Sequence, residues 1–140
     1  MKKISRIILA ILFIVQIMFT FSSCKKEEDE GLLPLITLKT GAGYIAKDST
    51  VAKSFAFKIG VDAAKAEAND VLTKMIISVS YDNGADSVLV SDTLTGTQGS
   101  AYSKDFTGTT RNVSGTEKYT FKVINKDGLI NTAMVKLTVQ

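Results

Sequence analysis

From about residue 33 onward, apolar side chains fall on every second position, and no helical period of comparable length competes with them. Such alternation puts one face of an extended chain on a core and the other in water, which commits the segment to β-sheet. The C-terminus shows it most clearly. Tyr119, Phe121 and Val123 alternate with Thr120 and Lys122, and Asn125-Lys126-Asp127-Gly128 turns the chain. Ala133, Val135, Leu137 and Val139 then alternate with Met134, Lys136 and Thr138. Two such runs about a Gly-containing turn make a β-hairpin.

Earlier segments follow the same rule. Pro34 to Lys39 reads as a first strand, broken by Thr40-Gly41-Ala42-Gly43. Phe55, Phe57, Ile59 and Val61 alternate with Ala56, Lys58, Gly60 and Asp62. Ala63 to Asp70, rich in Ala and Glu, reads as one helical turn, too short to be stable alone. Leu72 to Tyr81 carries Met75, Ile77, Val79 and Tyr81 on one face, and Asp82-Asn83-Gly84 suits the positive φ of a tight turn. Ser87 to Leu94 and Ala101 to Phe106 are further strands, separated by a Gly/Thr loop, with Tyr102 and Phe106 on one side. About seven short strands over roughly 100 residues predict an all-β, immunoglobulin-like β-sandwich.

The N-terminus is built differently. Met1 to Arg6 is basic, and Ile7 to Phe21 is almost unbroken Ile, Leu, Phe, Val and Met, interrupted by Gln16. Ser22 and Ser23 then precede Cys24, the one cysteine of the chain. A basic n-region, an apolar h-region and small residues are the layout of a signal peptide. The apolar run is short for a spanning helix, which wants about 20 residues. Lys25-Lys26-Glu27-Glu28-Asp29-Glu30-Gly31 follows as a solvated, self-repelling tether.

Charge and missing residue types narrow the chemistry. Of 17 basic residues, Lys2, Lys3 and Arg6 lie before the apolar run, and the remaining 14 balance the 14 acidic ones. A neutral mature surface offers no footprint for a phosphate backbone, so no nucleic-acid partner is expected. One cysteine leaves no intrachain disulfide, so packing alone must hold the domain. The chain has no histidine. That removes Ser-His-Asp and Cys-His catalysis and His-ligated zinc, and the chain is expected not to be an enzyme and to need no cofactor. Asp82, Asp86, Asp92 and Asp127 all fall in or beside expected turns. Asp82, Asn83 and Asp86 form the calcium candidate, with oxygen donors on a Gly-bearing loop, although an ordinary hairpin turn accounts for the same residues. Tyr44, Tyr81 and Tyr102 would make a platform for glycan stacking if their loops converge; alternation places Tyr81 and Tyr102 equally well in the core.

Several resemblances extend this reading. Phe21-Ser22-Ser23-Cys24 resembles the lipobox of bacterial lipoproteins, with Phe21 where Leu, Val or Ile is usual. That likeness implies removal of residues 1–23 and acylation of Cys24, with residues 24–33 as lipidated tether and residues 34–140 as the sandwich. The charged run after Cys24 resembles the export signal of Bacteroidota surface lipoproteins, which implies display on the outer membrane. Gly115 to Val123, Asn125 to Gly128 and Val135 to Val139 resemble the last two strands of PKD-like and related bacterial Ig-like domains, in which Tyr119 would be a corner tyrosine. The antibody-type Cys pair and buried Trp are absent. Asp48-Ser49-Thr50, Asp86-Ser87-Val88 and Asp92-Thr93-Leu94 resemble Bacteroidota O-glycosylation acceptors, implying sugar on Ser49, Ser87 and Thr93. The combined expectation is a non-catalytic, lipid-anchored outer-membrane surface protein, held to the membrane through its N-terminal lipid, whose domain has a structural or interaction role with an envelope protein or a glycan. The alternative is a carbohydrate-binding accessory module of an envelope glycan-uptake system.

Overall fold

The computed structural model describes residues 31–140; the expectations for the signal peptide, Cys24 and the tether up to Glu30 lie outside the described residues. Gly31–Gln140 is a compact unit by itself. Its strands are β1 (Leu35–Leu38), β2 (Ser49–Val51), β3 (Ala56–Ala64), β4 (Leu72–Tyr81), β5 (Ser87–Thr93), β6 (Ala101–Thr109), β7 (Gly115–Asn125) and β8 (Ile130–Val139). They form a three-stranded sheet, β1-β3-β6, and a five-stranded sheet, β2-β8-β7-β4-β5. All neighbours are antiparallel except β2 and β8, which run parallel. Residues 31–140 are therefore an all-β, immunoglobulin-like sandwich of eight strands.

Alternation decides what fills the space between the sheets. Phe57, Ile59, Val61 and Ala63 of β3 point inward against Met75, Ile77 and Val79 of β4, Tyr119, Phe121 and Val123 of β7, and Val135 and Leu137 of β8. An aromatic group joins the two sheets. The Phe57 and Tyr119 rings lie 4.9 Å apart, Phe106 and Tyr119 5.7 Å, and Phe106 and Phe121 6.5 Å, all tilted or edge-on. Tilted pairs at such spacings match the ring quadrupoles as well as filling volume. Among the described residues, the core runs from Ile36 to Val139, so the unit carries its own core.

One expectation is corrected. The helical turn over Ala63 to Asp70 does not form: β3 runs on to Ala64, and Lys65 donates its backbone N–H to Ser100 O at 3.1 Å. Cross-strand bonds win because so short a segment gains few helical bonds for the residues it would fix. The first strand forms where expected, as β1, and a short strand with no counterpart in the sequence pattern follows it. After β1 the chain turns through Gly41 and Gly43, both at positive φ, and crosses to the other sheet as β2.

Of the four edge strands, β5 and β6 are joined across the sheets by charge. On β6, Lys104 points inward and donates to Asp92 Oδ2 of β5 at 2.9 Å, while the Tyr102 hydroxyl donates to the same oxygen at 2.7 Å. Inward-pointing charge discourages further strands from adding to an exposed edge. Asp92, expected in or beside a turn, is thus a strand residue that bridges the sheets. The Tyr102 and Lys104 bonds hold its carboxyl below the usual range.

Phe121 is fully buried at the meeting point of both sheets. Phe121→Ala is expected to destabilise the unit by about 3–5 kcal/mol. Urea unfolding followed by circular dichroism would register this as a drop in midpoint at unchanged slope.

Candidate functional site

The outer face of the three-stranded sheet is where side chains depart most from plain packing. Gly60 sits mid-strand in β3, and a Cβ there would lie 2.6 Å from Lys39 Cδ, 2.7 Å from Tyr44 Cε1 and 3.0 Å from Asp105 Oδ1. The bare backbone lets these three residues close over the strand. Lys39 Nζ donates to Asp105 Oδ1 at 2.6 Å, and the Tyr44 hydroxyl donates to Asp105 Oδ2 at 2.7 Å. Lys58 Nζ stands 4.3 Å from the Tyr44 ring centroid, within cation–π range. Bonding to Lys39 and then to Tyr44 lowers the Asp105 carboxyl from its ordinary value, and bonding to Asp105 raises both Lys39 and Tyr44.

Tyr44 forms one wall of an open groove of about 680 Å³. Ile45, Phe55, Phe57 and Lys58 line it on one side, and Thr107, Gly108 and Thr109 on the other. Phe55, 41% exposed, presents a ring at the rim. Phe57 belongs to the core and reaches the groove because Gly108 is bare: a Cβ there would lie 2.6 Å from Phe57 Cζ. The groove joins aromatic surface, hydroxyls and a cation.

A second polar cluster closes one end of the sandwich. Glu117 is fully buried, and its carboxylate accepts from Arg111 N at 2.8 Å, Arg111 Nε at 3.2 Å and the Tyr119 hydroxyl at 2.7 Å. Arg111 also donates through Nη2 to Asp82 Oδ2 at 2.9 Å and lies 4.4 Å from the Tyr81 ring. Burial, then the Glu117 bond, pushes the Tyr119 hydroxyl well above its ordinary value. The Thr116 amide and then Arg111 hold Asp82 below the usual carboxylate range.

The calcium candidate falls into this cluster. Asp82 and Asn83 both adopt positive φ, and Gly84 N donates to Tyr81 O at 2.8 Å, which defines a tight hairpin turn. Both Asp82 oxygens are engaged, one by Arg111 and one by the Thr116 amide at 2.7 Å. Asn83 and Asp86 are exposed. No group of three or more His, Cys, Asp or Glu among the described residues is arranged to hold a metal.

The three tyrosines are not brought together. Tyr44 lines the 680 Å³ groove, Tyr102 lines a separate hollow of about 450 Å³, and Tyr81 packs under Arg111. Ser87 and Thr93 are exposed at the two ends of β5, and Ser49, half-buried, opens β2. Phe55, Asp105 and Lys58 escaped the sequence reading as members of one site. Gly60 in the middle of a strand was the available signal, since such a glycine often marks a close approach.

No protein-family model matches the chain, and neither does any curated protein. Among solved structures it is similar to a superoxide reductase (neelaredoxin) from Ignicoccus hospitalis, with 13% identity and a TM-score of 0.50 over 78% of this chain and 81% of that one. A variant of that protein aligns at 0.51, with 13% identity over 77% and 80%. A CARDB domain from Pyrococcus furiosus aligns at only 0.39, with 14% identity over 77% and 91%. At such identities the likeness is one of fold. It nonetheless corrects one expectation. The reading that the chain is not an enzyme does not stand, because a superoxide reductase is an enzyme and shares this sandwich. Missing histidine removes particular chemistries, not catalysis as a class, and a fold by itself does not decide between them.

The Asp105 cluster generates a titration test. Because its folded pKa is depressed, Asp105 supports the fold above the ordinary carboxylate range, and that support fades as pH falls through the folded value. Carbon-detected NMR should give Asp105 a midpoint below that of a model peptide. Lys39→Met should move it back upward, and an unmoved midpoint would contradict the assigned contact.

Proposed function

We propose that this chain is a lipid-anchored envelope module. Residues 1–23 are removed, acylated Cys24 holds the protein on the outer membrane, and the sandwich is an interaction domain displayed at the surface. The observation that carries this reading is the placement of the one cysteine, directly after the apolar run and two small residues and before a charged spacer. Each buried acyl methylene contributes about 0.8 kcal/mol, so several chains anchor durably where one would not. Labelled palmitate should enter the wild-type chain and be lost in Cys24→Ser. Equal labelling of both would sink the anchor, and protection of the domain from protease on intact cells would sink surface display.

The groove beside Tyr44 favours a second reading, in which the domain captures a glycan. The half-buried Tyr44 ring lining the groove and the exposed Phe55 ring, next to threonine hydroxyls and Lys58, are the composition a sugar ring would meet by stacking and hydrogen bonding. On this reading Tyr44 makes the contact, with Phe55 in place of Tyr81 and Tyr102. Tyr44→Ala and Phe55→Ala should each weaken glycan binding by about tenfold, as one lost aromatic contact implies. A glycan array with no hit for the wild-type protein would remove this reading and leave the anchor untouched.

A further inference from the structure

The outer face of the five-stranded sheet has an unusual charge pattern. By strand register, Lys118 of β7 lies directly opposite Lys136 of β8, Lys122 follows on β7, and Lys74 lies on β4 opposite Ile124. The Lys136 backbone N–H points away from β7, to Asp48 Oδ1 at 2.8 Å, so Lys118 and Lys136 form a non-hydrogen-bonded pair, the kind whose side chains stand closest. Like charges in that position destabilise a sheet. None of the four lysines joins an ion pair among the described residues. No outward-facing position of β4, β7 or β8 holds a carboxylate or an aromatic ring. Met134 (55% exposed) and Ile130 (45% exposed) lie on the same face.

We infer that this face docks flat on an anionic lipid bilayer. Unpaired lysines meet the headgroup charge, and Met134 and Ile130 reach the acyl boundary, the combination by which surface-lying elements bind membranes. The lack of an aromatic platform disfavours a stacked nucleic-acid strand. The inference is independent of the anchor, since it concerns residues 31–140 alone. On a lipidated chain it would lay the sandwich against the membrane instead of upright on its tether.

Residues 25–140, which keep this unit's core and lack Cys24, provide the test. The fragment should sediment with vesicles of phosphatidylcholine containing phosphatidylglycerol, weakly with phosphatidylcholine alone, and less as salt rises. Lys118→Gln with Lys136→Gln should weaken binding roughly thirtyfold. Lys53→Gln with Lys65→Gln, an equal charge change outside these strands, should weaken it far less. Met134→Glu should weaken binding at unchanged melting temperature. Equal binding to neutral vesicles, equal loss in both double variants, or no vesicle binding would overturn the inference. So would release by polyglutamate at charge equivalence, which assigns the face to a soluble acidic polymer, or dimerisation without vesicles, which assigns it to a second copy. Because the fragment lacks Cys24, none of these outcomes bears on lipidation.

Discussion

Packing of Phe57 and Phe106 against Tyr119 and Phe121 is what holds the two sheets together. With one cysteine in the chain, no intrachain disulfide can do that work. Every other feature presupposes this closure. Asp92 reaches Tyr102 and Lys104 only because β5 and β6 are held at facing edges. Glu117 tolerates complete burial only because Arg111, from the loop before β7, and Tyr119, two residues on in the same strand, both donate to it. A buried carboxylate without such partners would be strongly destabilising. Tyr119 therefore serves twice, as ring in the core and as hydroxyl donor to Glu117.

The inner faces being committed to packing, recognition falls to the outer faces, and the two differ. The three-stranded sheet carries a groove with aromatic and hydroxyl walls, and Tyr44 joins it to the Lys39–Asp105 pair, whose charges are partnered. The five-stranded sheet is covered with lysines that have no partner among the described residues. Sandwiches with these inner faces can carry unrelated sites outside, which is consistent with a shared fold at 13% identity to a superoxide reductase.

Strands with long alternating runs were legible in the sequence. Leu72–Tyr81 has the expected bounds, and the β7–β8 hairpin turns at Asn125–Gly128 as its residues suggest. What escaped was either too short or too distant in the chain. Three residues of β2 show no period, and their pairing with β8 is a tertiary event. Lys39, Tyr44, Lys58 and Asp105 come from separate segments, and only strand pairing sets them around Gly60. Asp92 reads as a turn residue by type, and its inward direction follows from pairing with Met75.

Native-state hydrogen exchange tests the central claim most directly. If inter-sheet aromatic packing holds the fold, the amides of Ile59, Phe121 and Val135 should exchange only through global unfolding, while those near the free edges of β5 and β6 open locally. Core amides that exchange as fast as edge amides would show that the sheets part without unfolding, and would contradict the account.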